Sequence, residues 1–210
     1  MHIKTLQPKL YFVKHDGIFP NSHLPILHYP QVLKLPKLFA AAGVKQLFQD
    51  NNWKNNWKQG IYTYHHYHST THEVLGICKG EALLMLGGEK GIVLFILEGD
   101  VLVIPAGVAH MNLGKENDVT CVGGYPEGRE FDMNYGTDAE RPRADHNIAA
   151  LPMPNTDPVF GENGPLGKIW KWYEHVIKKS PFLDWTQKVR QFKRLSLIIV
   201  SPVLYWAHSI

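Results

Sequence analysis

The sequence predicts an all-β domain, an antiparallel barrel or sandwich made of many short strands. Glycine and proline are plentiful, with 18 and 14 residues, and they lie as turn signals between short apolar runs. Between Ile61 and Tyr125 these runs follow one another at the spacing of strands in such folds. Apolar residues make up 44% of the chain, which indicates a globular protein that buries a core without needing disulfide bonds.

Six apolar runs are the predicted strands of this domain. Several end at turn signals, such as Gly87-Gly88 and Pro105-Ala106-Gly107. The predicted strands are Ile61–His68, Val74–Cys78, Glu81–Leu86, Ile92–Leu97, Val101–Ile104 and Val119–Tyr125.

The segments outside these runs have different sequence patterns. Residues 5–29 are interpreted as irregular chain with one strand at Leu10–Lys14, and the spacing of apolar residues predicts a helix over Pro36–Asp50. The segment Asn51–Gly60 is interpreted as a connection. The predicted organisation is an N-terminal extension whose helix packs on the barrel (1–59), the barrel with a surface wrap (60–170), and a basic then apolar tail of undetermined structure (171–210).

Charge and cysteine content exclude some classes of function. From Lys168 to Ile210 eight basic residues face two acidic ones, so the rest of the chain carries −3 of the formal net charge of +3. A core without a basic patch argues against nucleic-acid binding. The two cysteines, Cys78 and Cys121, do not make a disulfide framework, although a pairing between them stays open. Both lie in apolar strands, which favours buried thiols over nucleophiles.

The expected location is the cytoplasm. The N-terminus has no signal pattern, and no apolar run reaches the ~18–20 residues of a spanning helix. The apolar segment Leu195–Ile210 contains Pro202 and follows a basic stretch. Three interpretations stay open: the segment lies on a membrane surface, it packs on the barrel or on a second subunit, or it is an extension that related proteins lack.

Two histidines and a glutamate form the first part of a candidate metal site. Because side chains alternate along a strand, His66 and His68 would point to the same side. A turn through Ser69–Thr71 would then bring Glu73 back opposite this imidazole pair. Two imidazoles and a carboxylate that converge on one point are typical metal ligands.

A second run supplies a fourth ligand candidate. Gly99 is followed after five residues by Pro105-Ala106-Gly107 and then by His110. The turn would redirect the chain at the barrel rim and leave His110 at the start of a new strand.

These spacings resemble the two sequence motifs of the cupin superfamily. Residues 60–80 match the first motif at every fixed position: Gly60, His66, His68, Glu73 and Gly80. Residues 99–110 match the second motif, except that its last position, usually Asn, is Gly114 here. That Asn is a structural residue, so its absence leaves the ligand set unaffected. A narrower resemblance, to the small bacterial YjlB-like cupins, rests on residues 65–76 and 125–128 and extends to about Trp170.

The resemblance implies a double-stranded β-helix, or jelly roll, and a homodimer, but it implies no substrate because the fold hosts many activities. One divalent transition metal is expected on His66, His68, Glu73 and His110. Three imidazoles and one carboxylate leave two positions of an octahedral shell for water or substrate, and iron, manganese, nickel, cobalt, copper and zinc all remain open.

Other residues near the motifs have two interpretations each. Tyr62 and Tyr64 share the parity of the histidine pair and are either substrate contacts or core aromatics. His72 is an alternative ligand, a residue that supports the ligands from behind, or a surface residue, and His65 is expected outside the site. The leading hypothesis is a metal-dependent enzyme, a dioxygenase or isomerase, that acts on a small polar molecule. The alternatives are a non-catalytic protein that binds or senses a small ligand or metal, and a structural barrel.

Overall fold

A computed structural model describes residues 1–179 of the chain. Met1–Lys171 form one compact unit, and a second unit begins at Trp172. Of the tail 171–210, the structure describes residues up to Lys179, which are helical, and the apolar segment Leu195–Ile210 lies outside the described residues. None of the helices within residues 1–179 is long and apolar enough to pass through a lipid bilayer.

Strands dominate the described part of the chain, and every strand pairing in it is antiparallel. Three α-helices accompany the strands: α1 (Ala40–Asp50), α2 (Arg143–Ala150) and α3 (Pro165–Lys179). The strands are β1 (His2–Ile3), β2 (Lys9–Tyr11), β3 (Ile26–Tyr29), β4 (Leu33–Lys34), β5 (Trp53–Gln59), β6 (Glu73–Leu86), β7 (Ile92–Leu97), β8 (Val101–Ile104), β9 (His110–Asn112) and β10 (Val119–Pro126).

Six strands lie side by side in the order β2-β3-β8-β6-β10-β5, and β7 and β9 pair with the far end of β6. The short strands β1 and β4 form a separate pair. This arrangement is the all-β jelly roll that the sequence predicts.

The long strand β6 belongs to both halves of the jelly roll. Its first half pairs with β8 and β10, while its second half pairs with β7 and β9. The change falls at Gly80, whose φ of +82° suits glycine and bends the strand. Val74–Cys78 and Glu81–Leu86 are therefore one bent strand, and not two separate strands as predicted.

A substitution at this bend should destabilise the fold. Gly80→Ala is expected to lower the free energy of unfolding by about 2–4 kcal/mol, because a positive φ strains an L-residue and overpacking adds a similar cost. The added Cβ would lie 2.0 Å from the backbone oxygen of Asp118. The control is Gly167→Ala in α3, where a Cβ meets nothing within 4 Å. It should leave stability unchanged or raise it by ~0.5–1 kcal/mol in urea unfolding. Equal stability of the two variants would contradict the expected strain at Gly80.

The core lies between the two halves and follows the alternation of the strands. In β7, Leu94 and Ile96 are buried while Val93 and Phe95 are exposed. Each fully buried aliphatic side chain contributes about 1.5–3 kcal/mol of hydrophobic stabilisation. The inward residues of both halves meet in one cluster, which includes Leu75, Ile77, Leu84, Leu86, Ile96, Leu102 and Cys121.

The N-terminal residues contribute more to the sheet than the sequence predicts. The segment Asn51–Gly60 is not a connection, since β5 within it pairs along β10. Its residues are mostly polar and show no apolar alternation, because β5 lies at the edge of the sheet. Strands β2 and β3 also join the main sheet, so strands of the predicted extension 1–59 pair with strands of the predicted barrel 60–170.

Helix α1 packs on the outside of the sheet. It begins at Ala40 and not at Pro36, because Phe39 adopts a left-handed conformation that no helix continues through. Its buried residues Val44 and Phe48 lie against Gly76 of β6, where a Cβ would approach them within 2.7 and 2.9 Å. A residue without a side chain at position 76 thus lets the helix approach the sheet closely.

Candidate metal centre

Three histidines meet inside the jelly roll, and we refer to His66, His68 and His110 as the imidazole cluster. Each offers a ligand nitrogen, and these nitrogens all lie within 4.8 Å of one another. His110 opens β9, and its backbone exchanges two hydrogen bonds with His66, of 2.9 and 3.2 Å. The predicted strand Ile61–His68 is not a continuous strand, and the structure has isolated β-bridges at His66 and Tyr67 in its place. All three histidines are at least 95% buried.

Backbone carbonyls orient all three rings in the same way. The Nδ1 atom of His66 lies 3.2 Å from the carbonyl oxygen of Tyr64, and Nδ1 of His110 lies 3.1 Å from that of Val108. The Nδ1 atom of His68 bonds to the carbonyl oxygen of Asp132. A carbonyl only accepts hydrogen bonds, so each Nδ1 must carry the proton. The Nε2 lone pair of each ring is then left for a ligand role, the arrangement usual for metal-binding histidines.

Glu73 adds a carboxylate to the cluster, and one of its two oxygens lacks a hydrogen-bond donor among the described residues. Its Oε1 lies 3.5 Å from Nε2 of His68, and its Oε2 lies 3.2 Å from Nε2 of His110. Yet Oε2 is buried and receives no hydrogen bond from any residue that the structure describes. With the proton on Nδ1, the facing nitrogen also presents a lone pair. Lone pairs that face one another in a buried site are satisfied by a cation, so the residues fit a divalent metal.

Burial and mutual charge set the protonation of the cluster. Burial, followed by the neighbouring His110, lowers the pKa of His66 to about 3, which keeps that ring neutral at physiological pH. Burial opposes charge on His68 as well, but Glu73 and Asp132 together outweigh burial and raise the pKa of His68. Burial alone would raise the pKa of Glu73, whereas His68 and His110 hold it well below its usual range. The site therefore attracts positive charge to the space between Glu73 and the rings.

Asp132 holds the segment that carries His68, and sequence reasoning missed it. Its Oδ1 accepts hydrogen bonds from the backbone N–H groups of Ser69, at 2.6 Å, and Thr70, at 3.2 Å. Its Oδ2 accepts from the Ser69 hydroxyl and from Nδ2 of Asn134. Because the carbonyl of the same residue receives the His68 ring, Asp132 fixes both the turn after His68 and the angle of its imidazole.

Loss of this carboxylate should weaken metal binding. In Asp132→Asn an amide NH₂ group would face hydrogen-bond donors. We expect the metal affinity to fall ~10–100-fold below that of the wild type, because disturbing a group that orients metal ligands usually has an effect of this size. Competition with a chromogenic zinc chelator measures the affinity. The matched control is Glu130→Ala, whose exposed side chain lies two residues away and whose contact with Thr70 uses only its backbone oxygen. Equal affinities for both variants would contradict the role of Asp132.

Tyr62 and Tyr64 line a cavity of about 340 Å³ that reaches the imidazole cluster, and only Tyr64 is strongly exposed. Both tyrosines therefore face a cavity, and their contact with a substrate stays a prediction. Sequence reasoning missed other aromatic residues of the cavity. Trp57 donates a hydrogen bond of 2.9 Å from Nε1 to the hydroxyl of Tyr125, and Phe131 stacks on Tyr125. Burial, followed by Glu73, raises the pKa of Tyr125.

The remaining candidates lie outside the imidazole cluster. His72 is buried and accepts the N–H of Ala106 on Nδ1 at 3.0 Å, and its ring packs on Trp170. Burial lowers its pKa to about 3. His65 packs on Phe19, and its Nε2 lies 3.3 Å from Glu89.

The two cysteines are free and buried. Burial raises the pKa of Cys78 to about 11 and that of Cys121 well above its usual value. Both thiols therefore stay protonated, and neither is activated as a nucleophile.

A jelly roll with both motifs placed around three histidines and a glutamate is the architecture of a cupin. Within the cupins, the chain belongs to the family of YjlB from Bacillus subtilis (strain 168), an uncharacterized protein. It is 38% identical to YjlB over 165 residues, which cover 78% of this chain and 97% of that protein. No protein-family model matches the chain.

Similar solved structures include an acireductone dioxygenase from Bacillus anthracis with a cadmium ion in its active centre. Its TM-score is 0.36 at 13% identity, over 52% of this chain and 83% of that chain. A recombinant pumpkin pro-11S globulin has a TM-score of 0.32 at 16% identity, over 38% of this chain and only 22% of that chain. Likenesses this distant carry no activity or ligand over to this protein.

Proposed function

We propose that this protein is a metal-dependent enzyme that acts on a small polar molecule bound beside the metal inside the jelly roll. The observation that carries the proposal is the convergence of three Nε2 lone pairs and one carboxylate oxygen without a donor at a cavity open to solvent. Four protein ligands leave an octahedral shell incomplete, as metal catalysis requires. A divalent ion would supply Lewis-acid chemistry or, if redox-active, dioxygen activation, which matches isomerase or dioxygenase chemistry.

Different residues would hold the metal, orient its ligands and contact the substrate. The imidazole cluster and Glu73 hold the ion, and backbone carbonyls together with Asp132 fix the rings. Tyr62 and Tyr125 line the cavity in which the molecule would bind. Their hydroxyl groups offer hydrogen bonds that orient a polar substrate.

Elemental analysis tests the proposal most directly. The wild-type protein, purified from cells grown with iron, manganese, nickel, cobalt, copper and zinc, should contain about one divalent metal per chain. A metal content near zero under these conditions would defeat the proposal. Cobalt-substituted protein then separates an open site from a closed one, because added azide changes the visible spectrum only if exchangeable positions exist.

A cupin that senses or stores its ligand would bind metal in the same way but turn nothing over. An enzyme should lose turnover in His68→Ala, whereas a sensor should change its binding of a partner when ligand is added. The homodimer is also proposed, on the family resemblance alone, and sedimentation velocity measures it.

A further inference from the structure

Stacked aromatic side chains line the side of the cavity next to His66, and we refer to the pairs Tyr62–Tyr64 and Tyr125–Phe131 as the aromatic walls. The rings of Tyr62 and Tyr64 stack at a centroid distance of 4.9 Å and an interplanar angle of 17°. Their centroids lie 5.3 and 5.7 Å from that of His66. Stacked rings cover one face of each other, so the pair offers an outer ring face and ring edges to a planar aromatic ligand.

A second pair of stacked rings lies beside His68. Tyr125 and Phe131 stack at 4.9 Å and 25°, and their centroids lie 5.9 and 5.2 Å from that of His68. The imidazole cluster is therefore accompanied by one stacked pair beside His66 and another beside His68. Side chains arranged in this way favour a flat molecule over a puckered or branched one.

Aromatic side chains also remain exposed around the cavity. Tyr64, Phe131 and Tyr135 are 45%, 40% and 52% exposed, and Tyr64 and Tyr135 approach within 6.0 Å. Exposed aromatic groups that cluster at a cavity mark a binding surface more often than a random patch. The rings that the fold leaves uncovered are the ones a ligand would cover.

The charges of the cavity limit what can enter. Within residues 1–179, no lysine or arginine lines it, and Glu73 is its only carboxylate. Phosphates and dicarboxylates, which proteins hold with cationic side chains, would find no such partner. A divalent ion with Glu73 leaves one positive charge, which a single ionised oxygen neutralises.

The lysines that could hold a polyanion line a different cleft. Lys37, Lys45, Lys58 and Lys79 surround a space of about 990 Å³ beside α1. Phosphorylated compounds that bind this protein would therefore go there, away from the imidazole cluster.

We infer that the cavity binds a planar, single-ring compound with two adjacent oxygen atoms, of the catechol class, stacked on the aromatic walls with its oxygens toward the ion. This inference rests on the proposed function, because the oxygens need the metal. The cavity volume lies at the lower end for small-molecule sites, which suits one ring.

Binding of 4-nitrocatechol to the zinc-loaded protein tests the inference, since its absorption changes when it chelates the ion. The same titration of the zinc-free protein measures any change that comes from the lysine cleft. Acetohydroxamate, a chelator with two adjacent oxygens, a single ionised oxygen and no ring, serves as the competitor. We expect a Kd for 4-nitrocatechol at least ~10-fold below that for acetohydroxamate. Tyr64→Ala and Phe131→Ala should each raise the 4-nitrocatechol Kd about 5- to 10-fold with unchanged zinc content and acetohydroxamate affinity.

The control variant is Phe39→Ala, because Phe39 is 83% exposed and lines the lysine cleft. It should bind 4-nitrocatechol like the wild type. Acetohydroxamate that binds as tightly as 4-nitrocatechol, or aromatic variants that weaken both chelators equally, would overturn the inference and leave the metal site standing. Failure of the wild type to bind zinc would instead overturn the proposed function.

Discussion

Replacing His68 with alanine is expected to lower the affinity for a divalent metal by more than ~100-fold, with the fold retained. The substitution removes one of four ligands, whereas groups that merely orient ligands already contribute about 10–100-fold. It also leaves the buried Glu73 carboxylate without its neighbour at 3.5 Å. Equilibrium dialysis against zinc followed by elemental analysis measures the loss, and circular dichroism verifies the fold.

His65→Ala is the matched control, because it removes a histidine from the same segment. The His65 ring lies next to Phe19 and Glu89, outside the imidazole cluster. Wild-type zinc affinity is expected for this variant. If both variants lost zinc to the same degree, or if His68→Ala kept it, the proposed ligand set would be wrong.

Metal binding should also raise the thermal stability of the protein strongly. A ligand that binds only the folded state, at a free concentration ~1,000 times its Kd, stabilises by about 4.1 kcal/mol. For a domain of this size that corresponds to a rise in Tm of about 8–16 °C. The effect depends on folding, since the ligands come from residues 66–68, from β6 and from β9. Differential scanning calorimetry with zinc and with excess chelator measures the difference.

Glu73→Gln separates this site from adventitious zinc binding at the surface. Glutamine keeps the shape of the side chain and removes the charge that faces Nε2 of His68 and His110. The zinc-dependent rise in Tm should shrink to a small fraction of the wild-type value. A full rise in this variant would place the stabilising zinc elsewhere on the protein.

Local sequence patterns were sufficient to predict the strands that end at glycine or proline turns. The bounds predicted for β7 and β8 coincide with those of the structure, because glycine and proline end both apolar runs. The same punctuation fixes the motif spacing, so the sequence identifies the four residues that the structure brings together. That they bind a metal stays a prediction.

Features that depend on distant pairing could not be predicted in this way. Strand β5 reads as a polar loop, since an edge strand needs only hydrogen bonds from its neighbour and no apolar face. Asp132 is more than 60 positions along the chain from the turn that it holds, so no local sequence pattern predicts this contact. The aromatic walls also combine residues from separate segments, and only Tyr62 and Tyr64 shared a visible pattern.

The bent strand β6 couples the unfolding of the two halves of the jelly roll. Neither sheet can release it without the other losing a strand as well, because one continuous backbone runs from Glu73 past Gly80 to Leu86, which pairs with His110. Local unfolding of only one half is therefore suppressed. Amide protons along the whole strand should exchange with solvent in a single cooperative opening of both halves. An ion clamped between Glu73 and His110 would then slow that event at both ends at once.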